Sequence, residues 1–239
     1  MSGVKKLNQI YEGKAKKVFA TDDENLLIVS YKDDATAFNG LKKGTIVGKG
    51  VVNNKVTNHL LQLLEKEGVL THFVEELSER DTVVKHVSIV PLEVIIRNIS
   101  AGSFAKRFGV EEGIVFDEPT IEFSYKNDEL GDPLMNAYHA LALKLATKEE
   151  IETIKAMAFK INDVLKAFFK AVNVDLVDFK LEFGRLSDGT IVLADEISPD
   201  TCRFWDSTTH EKLDKDRFRR DLGNVEGAYH EVFRRLGLE

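Results

Sequence analysis

The chain has 239 residues, of which 43% are hydrophobic and 31% charged, a composition typical of a globular protein with one large domain or two small ones. Its single cysteine, Cys202, excludes an internal disulfide framework and a cysteine-rich zinc site. The net charge of −7 argues against non-specific electrostatic binding of nucleic acid, so any anionic ligand must be bound by a local cluster of cations.

The amino-terminal segment MSGVKKLNQIYEG lacks the apolar core of a signal peptide, and no later apolar run approaches the ~18 residues of a membrane-spanning helix. We therefore expect a cytoplasmic protein with no membrane partner. The pattern of residues 6–32 predicts a β-meander, in which KLNQIY and KKVFA flank Glu12-Gly13 and LLIVSY follows a polar break.

A helix is predicted to begin near Asn53, because apolar side chains recur at helical spacing until Gly68 ends it. The stretch TVVKHVSIVPLEVIIRN then has the character of a strand, with Pro91 marking a break or an edge. We expect a domain boundary there, between an amino-terminal lobe of residues 1–90 and a carboxy-terminal lobe of residues 91–239.

The next predicted element is a helix over about 133–146. A better-signalled helix follows, which begins at a capping box formed by Thr147 and Glu150. VDLVDFKLEF and TIVLADEI then form a β-hairpin, and two further helices are predicted over 216–221 and 225–236. This order of elements indicates an α+β fold rather than a repeating βα alternation.

A glycine and two lysines near the amino terminus are a candidate phosphate site. In the segment YEGKAK, Gly13 directly precedes Lys14 and Lys16, which share one face of a strand. A glycine turn lets the backbone approach a phosphate closely, and lysines supply positive charge. The alternative is a hairpin with solvated lysines. The later stretch GTIVGKG is not a P-loop, because three residues instead of four separate its glycines and Gly50 replaces the required Ser or Thr.

A second candidate anion site follows the strand that ends near Arg97. The small residues 100–103 lead into a predicted helix, whose free N–H groups suit an anion together with the Arg97 guanidinium. Farther on, the turn after the hairpin carries Asp200 and Arg203, and Arg219 lies in the helix that follows. Any single arginine of this kind is more often a surface residue than a ligand.

The hairpin of residues 176–200 carries charged and apolar side chains on opposite faces. Its charged row comprises Asp178, Lys180 and Glu182. If Asp188-Gly189 forms a two-residue turn, Glu182 lies directly opposite Asp195, and such a like-charge pair is destabilising unless a divalent cation lies between the two carboxylates. The pair therefore predicts a magnesium site for a nucleotide. The alternative is a solvated polar face with the register off by one, which would put Asp195 on the wrong face.

Seven stretches of the chain match one known family in order across nearly its whole length. They are YEGKAKKVF, GVVNNKVTNHL, PLEVIIRNISAGSFAKRFGVEEG, KNDELGDP, LVDFKLEFGR, DEISPDTCRFWD and DKDRFR. Together they resemble the SAICAR synthetase (phosphoribosylaminoimidazole-succinocarboxamide synthase) family. The resemblance implies an α+β, two-lobed fold, in which a kinase-like or ATP-grasp-like nucleotide cleft lies between an antiparallel-sheet amino-terminal lobe and a larger α+β carboxy-terminal lobe.

The resemblance also implies roles for individual residues. The residues of the ATP site are Lys14, Ala15, Lys16, Lys126, Glu182 and Asp195, of which Glu182 and Asp195 are the acids linked to Mg²⁺. The ligands of the ribonucleotide phosphate are Arg97, Ser103 and Arg219. The residues around the reacting carboxylate and the incoming aspartate are Asp178, Lys180, Asp200 and Arg203. Asn39 departs from the family, which often has an acid there, so no role in binding the aspartate amine or a second metal is carried over to this loop.

The implied reaction joins the carboxylate of a carboxyaminoimidazole ribonucleotide to the amine of L-aspartate, with ATP cleaved to ADP and phosphate. We expect ATP to convert the carboxylate into an acyl phosphate, which the amine then attacks, and either Asp178 or Asp200 to accept the amine proton. The expected partners are these small molecules and a second copy of the chain in a homodimer. The rival interpretations are a small-molecule kinase that stops after phosphoryl transfer and a nucleotide-binding regulatory module.

Overall fold

A computed structural model describes residues 3–239, which form three antiparallel sheets and six α-helices. The elements in chain order are β1 (Lys6–Glu12), β2 (Lys16–Thr21), β3 (Leu26–Tyr31), β4 (Asp34–Ala37), β5 (Lys42–Thr45), α1 (Lys49–Lys66), β6 (Phe73–Glu76), β7 (Asp81–Lys85), β8 (Ser88–Ile89), β9 (Leu92–Ile99), α2 (Gly102–Phe108), β10 (Val115–Tyr125), a 3₁₀ turn (Asp128–Leu130), β11 (Leu134–Met135), α3 (Ala137–Ala142), α4 (Lys148–Lys170), β12 (Val174–Arg185), β13 (Ile191–Ala194), β14 (Cys202–Asp206), α5 (Asp216–Arg219) and α6 (Val225–Arg235).

The first sheet has five strands in the order β1-β2-β3-β7-β6, and its first three strands are the predicted meander. The second sheet has seven strands, with the path β11-β10-β9-β12-β13 and with β8 and β14 also paired to β12. The strands β4 and β5 form a separate two-stranded hairpin. All of these pairs are antiparallel, which confirms the predicted α+β class.

The strand β12 is the centre of the second sheet. It pairs with β14 over its first half and with β13 over its second half, while β9 and then β8 lie along its other edge. Its apolar row is fully buried, as the alternation predicts, and comprises Val177, Phe179, Leu181 and Phe183. The opposite row, with Asp178 and Glu182, is also shielded from solvent, and it faces the candidate site.

Helices α4 and α1 cover the core. The predicted capping box starts α4, because Thr147 Oγ1 accepts from the Glu150 N–H (3.1 Å) and a Glu150 carboxylate oxygen accepts from the Thr147 N–H (2.9 Å). Helix α1 contributes Val56, Leu60 and Leu64 to the same core cluster as α4 and β12. The division into lobes at residue 90 stays a prediction.

Helix α1 begins four residues earlier than predicted. Its amino-terminal N–H groups are capped from a distant loop, since the Asp33 carboxylate accepts from the N–H groups of Gly48 (3.0 Å) and Gly50 (2.8 Å), and Arg80 donates to the same carboxylate. Gly48 itself has φ 82° and no capping side chain. A tertiary cap leaves no local signal in the sequence, which explains the late predicted start.

Two other predicted elements are shorter than expected. The helix expected over 133–146 is only α3, which starts after the Asn136 cap and ends before Lys144, where φ is 55°. The long strand expected around Pro91 is divided into β7, β8 and β9. The prediction also lacked the β4–β5 hairpin, β6, β11 and β14, and it did not identify the long strand β10. Arg203, predicted to lie in a turn, lies in β14 because that segment pairs with β12.

Candidate active site

A cavity of about 390 Å³ lies between the first sheet, α1 and the β12–β13 hairpin. Its apolar lining includes Val18, Leu27, Val29, Leu61, Val84, Val87 and Ile89. Its charged lining comprises Lys14, Lys16, Lys85, Lys126, Lys180, Glu93, Asp128, Asp132, Glu182, Asp195 and Glu196. A cleft with both kinds of lining suits a ligand that is part apolar ring and part polyanion.

The register of the β12–β13 hairpin differs from the predicted one by a single residue. Glu182 pairs with Ala194 and not with Asp195. The cause is the loop, because Leu186 and Thr190 form the closing hydrogen bond (2.9 Å) and Gly189, with φ 86°, is the last of three loop residues instead of the second of two.

Asp195 nevertheless reaches the same cleft as Glu182. β13 ends at Ala194, and Asp195 adopts φ 58°, so the strand alternation that would have turned its side chain away no longer applies. The Lys180 ammonium lies 3.4 Å from Glu182 Oε1 and 3.7 Å from Asp195 Oδ2. The predicted register was wrong, but the two carboxylates are brought together.

The protonation of the two acids is set by their neighbours. Burial and the Asp195 carboxylate raise the pKa of Glu182 above its usual range. At Asp195 burial acts in the same direction, but Lys16 and Lys180 outweigh it and lower the pKa. Lys16 forms an ion pair with Asp195 and lies 3.3 Å from Glu196 Oε1. Burial opposes the charge of Lys16, yet these two carboxylates raise its pKa well above the ordinary value.

A histidine holds the backbone at Asp195. His72 Nε2 donates to the Asp195 carbonyl oxygen (3.1 Å), and the His72 N–H donates to the Leu193 carbonyl (2.9 Å). Burial and the nearby Lys16 lower the pKa of His72 to about 4, so the imidazole is neutral at pH 7. The sequence does not indicate this role of His72, because the contact depends on pairing with a segment far from it in the chain.

The donor set at Glu182 and Asp195 fits magnesium. Within residues 3–239, no group of three or more His, Cys, Asp or Glu side chains is arranged to hold a metal ion. Magnesium does not need such a cage, because it is commonly held by one or two carboxylates together with substrate phosphates and water. Two hard carboxylates in a cleft lined with lysines meet that description.

The remaining residues predicted for the nucleotide line the same cleft. Lys126 Nζ lies 3.3 Å from Glu182 Oε1. Ala15 and the exposed Lys14 lie on the chain that enters β2. Asn39 does not line this cleft; it lies in the turn between β4 and β5, with φ 54°.

A second cluster gathers the predicted ribonucleotide residues at the other end of the charged row on β12. Arg97 donates to Ser103 Oγ (2.9 Å) and to Asp178 Oδ2 (3.0 Å). Arg203 also donates to Asp178 Oδ2 (3.0 Å). These contacts bring together residues from β9, α2, β12 and β14, which adjoin one another because β12 pairs with both β9 and β14.

Asp216 connects the cluster to α5. Its carboxylate accepts from Arg203 Nε (2.7 Å) and from Arg219 Nη1 (2.9 Å). Burial opposes its charge, but these two guanidinium groups lower the pKa of Asp216. Burial and the Asp216 charge raise the pKa of the neighbouring Asp214 to about 7. Neither aspartate was a sequence-based candidate, although both lie in the DKDRFR stretch.

The Arg203 guanidinium lies against the backbone of Gly102. A Cβ atom added at Gly102 would lie 2.3 Å from Arg203 Nη2, and φ is 53° there. Only glycine meets both conditions without strain. The small-residue turn therefore matters through this close approach, while the Gly102 N–H, predicted to be free for an anion, donates to Glu112 Oε1 (3.3 Å).

Both carboxylate oxygens of Asp200 are bound by protein side chains. Lys49 Nζ lies 2.5 Å from its Oδ2, and the Tyr229 hydroxyl donates to its Oδ1. Burial opposes the charge of Asp200, but Lys49 and Lys215 lower its pKa. Lys49 is 1% exposed and lies in the GTIVGKG stretch that sequence analysis rejected as a P-loop. The stretch still supplies a charged residue to this region, through α1.

None of the helices in residues 3–239 combines the length and apolarity needed to cross a bilayer.

Comparison with known proteins gives concordant results. The family model described as SAICAR synthetase matches residues 9–236. The phosphoribosylaminoimidazole-succinocarboxamide synthase of Lachnoclostridium phytofermentans is 66% identical over 236 residues, covering 99% of this chain and all of the relative. A crystal structure of the synthase from Ehrlichia chaffeensis superposes with a TM-score of 0.95 at 47% identity, covering 97% of this chain and 99% of the other. A SAICAR synthetase in complex with ADP superposes with a TM-score of 0.93 at 48% identity, covering 96% and 97%.

Proposed function

The chain belongs to the SAICAR synthetase family of ATP-dependent ligases, and from that premise we propose which of its residues carry the reaction. The reaction joins the carboxylate of carboxyaminoimidazole ribonucleotide to the amine of L-aspartate as ATP is cleaved to ADP and phosphate. The observation that carries the assignment is the single charged row of β12, since Glu182 lies in the nucleotide cleft and Asp178 lies among the arginines.

The cleft between the two sheets is proposed as the ATP site. Its apolar lining would hold the base, and the backbone at Ala15 with Lys14, Lys16 and Lys126 would hold the phosphates. The ADP complex of a relative with the same fold supports this placement. Glu182 and Asp195 would hold Mg²⁺, which when bound offsets the negative charge of the polyphosphate.

The arginine cluster is proposed as the ribonucleotide site. Arg97, Ser103 and Arg219 would bind its phosphate, with Arg97 and Ser103 already joined by a hydrogen bond. Arg219 is half-buried and has a single carboxylate partner, Asp216, so part of its guanidinium is free to bind a phosphate. Lys180 and Arg203 would hold the reacting carboxylate between the two ends of the row.

The chemistry proposed is activation followed by attack. A carboxylate is a poor acylating group because oxide is a poor leaving group, whereas phosphate leaves readily from an acyl phosphate. The aspartate amine must lose a proton to become a nucleophile. Of the two predicted acceptors we propose Asp178, because it shares a strand face with Lys180 and Glu182. Both carboxylates already have charged partners, Asp178 in Arg97 and Arg203 and Asp200 in Lys49.

The compartment and assembly are likewise proposals. We expect the enzyme to act in the cytoplasm, where free nucleotides and L-aspartate are available, and to form the homodimer that the family resemblance implies. We also keep the proposed lobe boundary near residue 90, because β7, which ends at Lys85, is the last strand of the first sheet along the chain, although β8 (Ser88–Ile89) already pairs with β12 of the second sheet.

A substrate-omission assay tests the function. The enzyme is given ATP, Mg²⁺ and carboxyaminoimidazole ribonucleotide, with or without L-aspartate, and both ADP and the product mass are followed. We expect steady ADP release only with aspartate, together with the mass of the succinocarboxamide. Steady ADP release without aspartate would identify a kinase instead.

A further inference from the structure

Lys215 is a partly buried cation that feels the charge of Asp200 but forms no ion pair at contact distance. Its side chain is half-buried, and it makes no hydrogen bond, ion pair or ring contact with any of residues 3–239. Burial lowers the pKa of the Lys215 ammonium to about 8; Asp200 counteracts this shift, but Arg219 and Lys49 add to it. A desolvated ammonium in this state gains more from an incoming anion than a solvated surface lysine does.

The backbone around Lys215 places it between the two proposed substrate sites. The Lys215 N–H donates to the Pro199 carbonyl (3.0 Å), and the Lys180 N–H donates to the Thr201 carbonyl (2.9 Å). The turn of residues 198–201 is therefore fixed to Lys215 on one side and to the charged row of β12 on the other. Arg219, proposed for the ribonucleotide phosphate, follows Lys215 by one helical turn.

The neighbouring cations already have protein partners, apart from the part of Arg219 that is proposed for the ribonucleotide phosphate. Lys49 is paired with Asp200, and Arg203 is paired with both Asp178 and Asp216. L-Aspartate brings two carboxylates into the site, and at least one of them needs a cation that forms no ion pair within the protein. Lys215 meets this need.

We propose, resting on the function proposed above, that Lys215 binds a carboxylate of L-aspartate beside the turn of residues 198–201. The ligand class is a small amino-dicarboxylate. Lys215 is thereby a substrate-binding residue and Asp200, held by Lys49 and Tyr229, is a positioning residue that fixes the turn next to it.

Substrate-specific kinetics test this proposal. We expect Lys215→Met to raise the KM for L-aspartate by about 10- to 100-fold, the loss that one charge-assisted contact brings, while the KM values for ATP and the ribonucleotide stay within about twofold. Lys215→Arg should recover part of the loss. The matched control is Lys212→Met, because Lys212 is also a half-buried lysine but lies over the Trp205 ring, 3.7 Å from its centroid.

A measurement on the unaltered enzyme keeps the test valid even if the variant fails to fold. With ADP, Mg²⁺ and the ribonucleotide bound, L-aspartate should slow acetylation of Lys215 by acetic anhydride, followed by peptide mass spectrometry, and leave that of Lys212 unchanged. An unchanged KM for L-aspartate in a Lys215→Met protein that still binds ADP, an equal rise in all three KM values, or no protection of Lys215 overturns the proposal. Failure of the wild-type enzyme to form the aspartate-dependent amide overturns the proposed function instead.

Discussion

Glu182 and Asp195 share one ammonium, that of Lys180, although they are not partners in the β-ladder. The pairing across the hairpin gives Glu182 the small neighbour Ala194. The left-handed backbone of Asp195 then returns its carboxylate to the cleft. Two like charges are thus held together by local backbone geometry and by lysines, without relying on strand register.

The first prediction concerns these two acids. Glu182→Gln or Asp195→Asn should abolish ATP cleavage while leaving the fold intact, because each change removes a proposed magnesium ligand and keeps the side-chain shape. Measurement of ADP release tests the loss of ATP cleavage, and circular dichroism tests whether the fold is intact. Asp188→Asn, in the exposed loop of the same hairpin, serves as the control and should retain activity. Near-normal turnover in both active-site variants would disprove the metal assignment.

The second prediction concerns His72. His72→Leu removes the N–H that holds the Asp195 carbonyl, so we expect a higher KM for ATP and a free energy of unfolding lower by about 1–3 kcal/mol, the cost of a buried carbonyl without its donor. His72→Gln keeps a hydrogen-bond donor, so its KM for ATP and its free energy of unfolding should lie between those of the wild type and of His72→Leu. Urea denaturation and steady-state kinetics provide the values. The control is His59→Gln in α1, which should leave the KM for ATP unchanged. An unaltered KM for ATP in His72→Leu would show that the contact does not position Asp195.

The third prediction compares the effect of alanine at two glycines with similar backbone conformations. Gly102 and Gly109 have φ 53° and 62°, so alanine at either position should cost about 1–2 kcal/mol of stability. Only at Gly102 would the new Cβ displace Arg203; nothing lies within 4 Å at Gly109. We expect Gly102→Ala alone to raise the KM for the ribonucleotide, by about 10- to 100-fold. Equal kinetic effects of the two variants would refute the role of the close approach.

The fourth prediction concerns the distant cap of α1. Partial burial works against the charge of Asp33, but Arg80 and the N–H groups of Gly50 and Gly48 lower its pKa to about 2. Because the folded-state pKa lies below the ordinary 3.8, this group stabilises the fold above about pH 4, and the contribution is lost as the pH falls towards 2.

Asp33→Asn should therefore reduce the free energy of unfolding at pH 7 by about 0.5–2 kcal/mol, the usual effect of a capping residue, and the difference from wild type should shrink below about pH 4. Urea denaturation at several pH values between 3 and 7 measures it. Asp163→Asn, on the exposed face of α4, should show no such trend. A difference that persists unchanged at pH 3 would show that the Asp33 charge is not responsible.

The sequence alone was sufficient to predict those elements that depend on a local pattern of residues. The meander, the capping box of α4 and the apolar row of β12 follow from alternation and helical spacing, and the structure confirms them. The strand-to-helix turn at Arg97 and Ser103 likewise places both residues in one cluster. The family match then supplied the reaction, which spacing could not.

The parts that could not be predicted depend on contacts between distant segments. Asp33 caps a helix fifteen residues on, His72 meets Asp195 across two sheets, and Lys49 reaches Asp200 from α1. The hairpin register depends on whether the loop has two or three residues, and Asp188-Gly189 is compatible with both. A turn dipeptide alone does not decide that choice.

The charged row of β12 has a further consequence for how the two substrates meet. Asp178 and Glu182 are four residues apart on one strand, a distance of roughly 13 Å. The separation between the proposed ribonucleotide end and the proposed nucleotide end is thus set by covalent geometry and would not change if the walls of the cleft moved. Deleting one residue between them would turn one end of the row into the core, so that this strand tolerates substitution far better than any change of length.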